Sequence, residues 1–354
     1  MEFLEYRFDE VSVNYDKKRV PLSGAQREKR KGNYRYYGAQ GVIDYIDDFI
    51  FDGTYLLIAE DGENLKSKKQ NIARVVNGKF WVNNHAHIVM GNYLCDTHYL
   101  CYLINSMDLS GYVTGSAQPK LSQANLNAVT VLLPQLDMQK KIVDFLGKID
   151  KKIEINKQIN ENLFNQAQAI YQQHFVTEAN PDWPLGHLTD LIDVKYGKDH
   201  KKLADGTYPV YGSGGIMRYV ERPLYEKESV LIPRKGTLNN VMYVNQPFWS
   251  VDTMFYTEMK QANVAKFVYH YVKSKDLASM NAGSAVPSMT TAILNAMELR
   301  IPSKEALLQF ENSVAPMYEM INKNEDQSRK LAELRDALLP KLMSGEVDVS
   351  ELNL

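Results

Sequence analysis

Apolar residues recur at alternating steps of four and three positions in two long stretches of the chain. Such a pattern, sustained over more than four heptads, predicts two long helices that pair as a coiled coil. The predicted seam of the first helix contains Ile142, Leu146, Ile149, Ile153, Asn156, Asn160, Leu163 and Ile170. The second seam contains Phe310, Val314, Met317, Ile321, Asn324, Ser328, Leu331, Leu338 and Leu342.

Polar residues interrupt both seams near their middle, where a buried polar side chain lowers stability but specifies the register. A parallel pair would place Asn156 opposite Asn324, whereas an antiparallel pair would place Asn156 opposite Ser328 and Asn160 opposite Asn324. The order of elements along the chain favours the antiparallel pair. We expect the helices to act as a spacer about 50 Å long, at about 1.5 Å per residue, with a globular domain at each end.

Short β-rich runs occupy the rest of the chain, among them TYLLIA, KFWV, HIVM, SVLIP and NVMYVNQPFW. They are separated by Gly, Asn and Pro, which are typical of turns between strands. The pattern predicts an α+β fold with two mixed α/β domains, at 1–134 and 177–302. A central helix would occupy 135–176, and a C-terminal helix and tail would occupy 303–354.

The two halves of the chain repeat one another. The segment YGAQG at Tyr37 matches YGSGG at Tyr211, an offset of 174 residues, and Gly62 matches Gly236 at the same offset. From Trp81 onwards the offset is 168, and it stays constant through matched tryptophan, glycine and proline residues. A constant offset through rare residues indicates that each domain and its helix form one duplicated unit.

Composition restricts the class of protein. With 354 residues, 44% hydrophobic and 24% charged, the chain is long enough for two or three folded domains. No run of about 18 apolar residues and no signal-peptide pattern occurs, and Cys95 and Cys101 are the only cysteines, so we expect a soluble cytoplasmic protein. A net charge of −2 leaves room for local basic patches but not for nucleic-acid binding by bulk charge alone.

Catalytic motifs are mostly missing from the sequence. The glycine-rich YGSGGIMRY is not a phosphate loop, because Met217 stands where G-x-G-x-x-G needs glycine. No motif of an adenine methyltransferase or an ATP-driven motor occurs. Asp252, Glu258 and Lys260 share strand parity and could form a metal-dependent nuclease site. We favour the interpretation that these are ordinary polar residues at a strand end.

A second group has side chains of the types that bind zinc: His85, His87, Cys95, His98 and Cys101. The matching region of the other half, SVDTMFYTEMK, has no such set. We therefore predict that the chain holds no metal.

The order of parts resembles the specificity subunit, known as S or HsdS, of type I restriction-modification systems. The resemblance rests on the Y-G-[AS]-x-G turns, the G-S-A-x-P segments and the stretch LPQLDMQKKIVDFLGKIDKKIEINKQIN. It implies two target recognition domains that each read one half of a split, asymmetric DNA sequence. It also implies that the helices dock two methyltransferase subunits, which bind S-adenosylmethionine, and that restriction subunits join them. The chain itself would then not be an enzyme.

DNA contacts need cations for phosphates and polar side chains for base edges. In the first domain the candidates are Arg27, Lys29, Arg30, Lys31, Gln40, Lys66, Lys68, Lys69, Gln118 and Lys120. In the second they are Lys198, Lys201, Lys202, Ser213, Arg218, Arg234, Lys235, Thr237, Asn239 and Ser288. A coiled-coil protein scaffold without a DNA role remains a further alternative.

Overall fold

In a computed structural model of the chain, residues 2–68, 70–115, 118–280 and 288–349 are described. These residues form two compact units. The first comprises Met1–Asn156 and Asp326–Leu354, and the second comprises Lys157–Glu325. Each unit therefore contains one globular domain together with a part of each long helix.

The elements of the first unit follow the predicted β-rich runs. Its strands are β1 (Phe3–Arg7), β2 (Ser12–Asn14), β3 (Lys31–Gly38), β4 (Gly41–Ile46), β5 (Phe51–Ala59), β6 (Ala73–Val82), β7 (Ala86–Gly91) and β8 (Thr130–Pro134). Its short helices are α1 (Phe8–Val11), α2 (Gly24–Glu28), α3 (Asn64–Ser67), α4 (Thr97–Ser106) and α5 (Gln123–Asn127). The long helix α6 (Leu136–Gln172) starts in this unit and ends in the second.

The second unit repeats this order with shorter strands. They are β9 (Leu185–His187), β10 (Ile192–Tyr196), β11 (Asp205–Gly212), β12 (Gly215–Val220), β13 (Ser229–Pro233), β14 (Met242–Val244), β15 (Trp249–Ser250), β16 (Met254–Met259) and β17 (Glu298–Arg300). Its helices are α7 (Ala265–Lys273), α8 (Thr291–Asn295) and the start of the long helix α9 (Lys304–Ser344), which ends in the first unit.

Sheet topology confirms the duplication. The first unit has a six-stranded sheet of order β2-β7-β5-β6-β3-β4, and the second has sheets of order β10-β16-β13-β14 and β12-β11-β15. One strand in the first unit, β6, corresponds to two in the second, β14 and β15. Pro247 lies between them and has no N–H for a ladder hydrogen bond. The predicted run NVMYVNQPFW is thus two short strands.

Equivalent residues start equivalent helices. Ser122 caps α5, where its hydroxyl accepts a hydrogen bond from the backbone N–H of Asn125 at 3.2 Å. Thr290, 168 positions later, caps α8 by accepting from the N–H of Ile293 at 3.3 Å. A side-chain oxygen at this position satisfies one of the free N–H groups of the first helical turn.

The two long helices are antiparallel within each unit, as predicted. In the first unit the amide of Asn156 donates to Ser328 Oγ at 3.1 Å. In the second unit Asn324 Nδ2 donates to Asn160 Oδ1 at 2.8 Å. Both pairs are those of the antiparallel register, which the predicted polar seam positions therefore specify.

Each globular domain packs its longest short helix against both long helices. In the first unit, α4 shares a buried core with residues of α6 and α9 that include Ile142, Leu146 and Leu342. In the second unit, α7 does the same with residues that include Ala167, Tyr171, Phe310 and Val314. No helix in the described part of the chain is long and apolar enough to span a membrane.

Candidate nucleic-acid interface

A tight turn joins β3 to β4 in the first unit and β11 to β12 in the second. The last glycine of each turn, Gly41 or Gly215, has a positive φ of 136° or 109°, which other residues rarely adopt. A Cβ at position 41 would also lie 2.6 Å from Arg74 Nη1. The turn therefore depends on glycine at this position in both copies, while Gln40 and Gly214 beside it are exposed.

A second glycine lies next to each turn. A Cβ at Gly62 would lie 3.7 Å from the side-chain nitrogen of Gln40, and a Cβ at Gly236 would lie 2.7 Å from Ser213 Oγ. Both glycines again have positive φ, 119° and 84°. We call this group the reading corner: Gly38–Gly41, Glu60–Gly62 and Gln118–Lys120 in the first unit, and Gly212–Gly215, Arg234–Gly236 and Ser288 in the second.

The backbone of the two reading corners is held by equivalent hydrogen bonds. The Glu60 N–H donates to the His85 carbonyl at 3.0 Å, and the Arg234 N–H donates to the Thr253 carbonyl at 2.9 Å. The carbonyls of Glu60 and Arg234 accept in turn from Leu121 and Met289, at 2.8 and 2.9 Å. The candidates Gln40, Gln118 and Lys120 thus come together in one unit, as do Ser213, Lys235 and Ser288 in the other.

Acidic residues neutralise most of the predicted cations of the first unit. Arg27 and Lys31 both bind Asp44, at 3.0 Å each, and Lys31 is the main reason that the pKa of Asp44 falls to about 2. Arg30 binds Asp47 at 2.9 Å and lies over the Trp81 ring. This basic run was predicted to contact DNA because it is a cluster of cations, but the aspartates that pair with it come from β4 and the residues after it.

The remaining candidates of the first unit vary in their availability. Lys29 is exposed, and none of the described residues forms an ion pair with it. Lys66 donates to the Gly115 carbonyl at 2.8 Å, and Lys68 binds Asp108 at 3.0 Å. Lys69 lies outside the described residues.

The second unit retains more available positive charge. Lys198, Lys201, Lys202 and Lys235 are exposed, and no carboxylate among the described residues pairs with them. Thr237 is exposed beside Lys235. A phosphate approaching these ammonium groups would therefore not have to displace an internal partner.

Three other candidates of the second unit are engaged within the fold. Arg234 donates to the Asp252 carbonyl at 3.0 Å and lies over the Tyr196 ring. Arg218 binds Asp205 at 2.8 Å. The amide of Asn239 donates to Asp276 at 3.0 Å.

Sequence reasoning did not find two residues that support the turns. The amide of Asn240 donates to the Ser213 carbonyl at 2.8 Å, and Arg74 occupies the space beside Gly41. Neither residue belongs to a motif. A side chain that supports a turn from another strand leaves no periodic signal in the sequence.

Two of the three candidate nuclease residues have side-chain partners of their own. Lys260 contacts the Thr189 carbonyl at 2.5 Å and Asp193 at 3.2 Å, and Glu258 lies 3.5 Å from Lys195. Asp252 contributes its carbonyl to Arg234. Nothing in the arrangement supports a nuclease site.

The histidines of the second candidate group have separate partners. His85 Nδ1 lies 2.6 Å from Asp61, and buried His87 lies between Asp16 and the Leu121 carbonyl, at 2.6 and 2.8 Å. Burial raises the pKa of the Cys95 thiol to about 12, which disfavours the thiolate that binds metals. Within the described ranges, no three His, Cys, Asp or Glu side chains come together as a metal site would require.

Comparison with known proteins decides what the duplicated units are. The family model described as "Type I restriction modification DNA specificity domain" matches residues 3–165 and 180–313, one match for each copy. The chain belongs to this family. It is a specificity subunit of the type I restriction-modification class, and its two units are DNA specificity domains, as the sequence resemblance predicted.

Similar proteins agree with this assignment. A chain of Haemophilus influenzae that carries the name of a type I restriction enzyme specificity subunit is 25% identical over 291 residues, covering 75% of this chain and 74% of the relative. The MjaIX specificity subunit of Methanocaldococcus jannaschii is 25% identical over 304 residues, covering 72% and 70%. The crystal structure of an S subunit from M. genitalium has the same fold, with a TM-score of 0.62, 17% identity and 96% of each chain covered.

Proposed function

We propose that this specificity subunit reads a bipartite, asymmetric DNA target, with one half-site bound at each reading corner. The observation that carries the proposal is that the two corners share their backbone and differ in their side chains. Gln40 in one copy corresponds to Gly214 in the other, and Glu60 corresponds to Arg234. Equivalent frames with unlike polar groups would read unlike base edges and phosphates.

The two units offer different side chains for contacts with DNA. In the second unit the exposed lysines Lys198, Lys201, Lys202 and Lys235 are candidates for phosphate contacts. In the first unit Gln40 and Gln118 are candidates for base edges, because amides can form paired hydrogen bonds to adenine. Arg27, Arg30 and Lys31 would bind DNA only if their aspartate partners were released, so we place them second.

We further propose that the chain acts through partners. Its relatives are named as specificity subunits, and the chain contains neither an adenine methyltransferase motif nor a phosphate loop. Two methyltransferase subunits that bind S-adenosylmethionine would supply methylation, and restriction subunits would supply cleavage. The specificity subunit would select the sequence for both.

One experiment tests this function as a whole. The purified chain, assembled with its methyltransferase subunits, is incubated with a random-sequence DNA library and S-adenosylmethionine, and N6-methyladenine is mapped. We expect a single motif of two unlike half-sites separated by a gap of constant length. Methylation without a bipartite motif, or an identical pair of half-sites, would contradict the proposal.

A further inference from the structure

One β-bridge closes the reading corner of each unit, and the two bridges are equivalent. Asp61 pairs with Lys120 in the first unit, and Lys235 pairs with Ser288 in the second. Each bridge therefore contains one lysine, but the lysines lie on opposite strands of the bridge. The opposite position holds a short polar residue in both cases.

The lysine of the second unit is ready to bind an anion. Lys235 is exposed, and among the described residues no carboxylate pairs with it. Gly236, the next residue, has a φ of 84° and no side chain to keep a phosphate away. An exposed lysine can contact a DNA phosphate, and the glycine beside it permits close approach of the backbone.

The lysine of the first unit has an internal partner that it can leave. Lys120 Nζ lies 3.2 Å from Glu60 Oε1, and its side chain is 55% exposed. Glu60 also binds Arg19, at 2.9 Å through its other oxygen. If Lys120 turned to a phosphate, Glu60 would keep a cationic partner, so the exchange would not leave a carboxylate unpaired.

The acid on the first bridge does not cancel this charge. Asp61 Oδ2 lies 2.6 Å from His85 Nδ1, and it is not Lys120's partner. The carboxylate is therefore held towards the turn between β6 and β7. Lys120 remains the charged group that the bridge presents to solvent.

We propose that the lysine of each bridge contacts a DNA phosphate, and that the two contacts are equivalent positions in the two half-sites. The corner needs one lysine, and either strand of the bridge can supply it. This inference rests on the proposed function, because it assumes that the reading corners face DNA. It adds that the contacted group is a DNA phosphate, and that the lysine can come from either side of the equivalent bridge in the two copies.

Salt dependence tests the phosphate contacts. Binding of the complex with its methyltransferase subunits to its mapped target is measured from 50 to 300 mM salt, for wild type, Lys120→Ala and Lys235→Ala. Each replacement should reduce the slope of log K against log salt by about 0.9, the value for one phosphate. Lys195→Ala is the matched control, because Lys195 lies in β10, outside both reading corners, and its slope should not change.

The second unit tests whether either side of the bridge can supply the lysine, because no carboxylate among its described residues pairs with Lys235. Lys235→Asp should lower affinity and reduce the slope. Lys235→Asp combined with Ser288→Lys recreates the pattern of the first unit and should restore the slope. The sequence of both half-sites should stay the same in all variants, because a phosphate contact carries no base information.

The outcomes separate this inference from the proposed function. If wild type methylates a bipartite target but both lysine variants keep the wild-type slope, the phosphate contacts are refuted and the function stands. If the double variant is as weak as Lys235→Asp alone, the interchange of strands is refuted. A changed half-site sequence in Lys235→Ala would show that Lys235 reads a base instead.

Discussion

His270 shows how a single buried side chain couples the second domain to its helices. Its Nδ1 donates to the Gln168 amide oxygen of α6 at 2.7 Å, and its Nε2 accepts from the Tyr318 hydroxyl of α9 at 2.8 Å. A neutral imidazole with the proton on Nδ1 forms both bonds in these directions. Burial lowers the pKa of His270 to about 4, which agrees with a neutral ring.

This histidine should make the stability of the second unit depend on pH. The unfolded chain binds the proton with a pKa of about 6.5, so protonation favours unfolding as the pH falls from about 6.5 towards 4. From pH 7 to pH 5 we expect a loss of about 2 kcal/mol in the free energy of unfolding. Urea unfolding of wild type and His270→Gln at both pH values measures it. An equal loss in both proteins would rule out His270 as the cause.

At the scale of elements, the polar middle of the coiled coil is the feature that specifies pairing. The side chains of Asn160 and Asn324 form a hydrogen bond to each other in the second unit, so replacing one of them removes this hydrogen bond from the other. Asn160→Leu should cost about 1 kcal/mol, the typical net value of a hydrogen bond. Asn160→Leu with Asn324→Leu should be close to neutral, because both partners are replaced by apolar groups.

A double-mutant cycle measures this coupling by urea unfolding. The combined effect of the two replacements should be smaller than the sum of the single effects. Additive losses would contradict the direct pairing of the two amides. Leu163→Ala, at a neighbouring seam position, provides a comparison for ordinary loss of packing.

The junction between the short helix and the two long helices differs between the units. The short helix is α4 in the first unit and α7 in the second. In the first unit a cavity of about 680 Å³ lies beside α4 and is lined by Val75, Cys101, Asp150 and Leu339, among others. In the second unit the matching positions, at the offset of 168, are Tyr243, Tyr269, Tyr318 and Tyr171. Four large rings thus replace smaller side chains, and the equivalent junction of the second unit is an aromatic cluster.

At the scale of the whole molecule, the two polar pairs allow the spacer to be lengthened in a controlled way. Asn156 pairs with Ser328 in one unit and Asn160 with Asn324 in the other. Four residues inserted after Asn156 and four inserted after Glu325 would keep both pairs and add about 6 Å of helix. If the proposed function holds, the gap between half-sites should change by about two base pairs, at about 3.4 Å each.

Methylation mapping of this variant gives the answer directly. Both half-site sequences should be unchanged, because neither reading corner is altered. The matched control inserts four residues into α6 alone, which prevents the two polar pairs from forming together and should reduce stability. Altered half-sites in the double insertion would contradict independent reading units.

Much of this architecture could be predicted from the sequence because its signals are local or periodic. A heptad pattern over two stretches predicted α6 and α9, and the order of elements along the chain favoured their antiparallel register. A constant offset predicted two related domains. The break of one strand at Pro247 was readable in principle, since proline has no N–H to donate. The runs VMYV and FW on either side consist mostly of β-forming residues, which favoured a single strand.

The sequence by itself determined the duplication and the helices, since both depend on spacing along the chain, and its motifs carried the resemblance to the family. Only the tertiary structure decided which cations are available, because ion pairs depend on distant residues. Asp44 neutralises Arg27 and Lys31, whereas Lys235 has no such partner among the described residues. The bridge that places Lys120 and Lys235 at equivalent positions joins segments more than fifty residues apart, so no local pattern could have shown it.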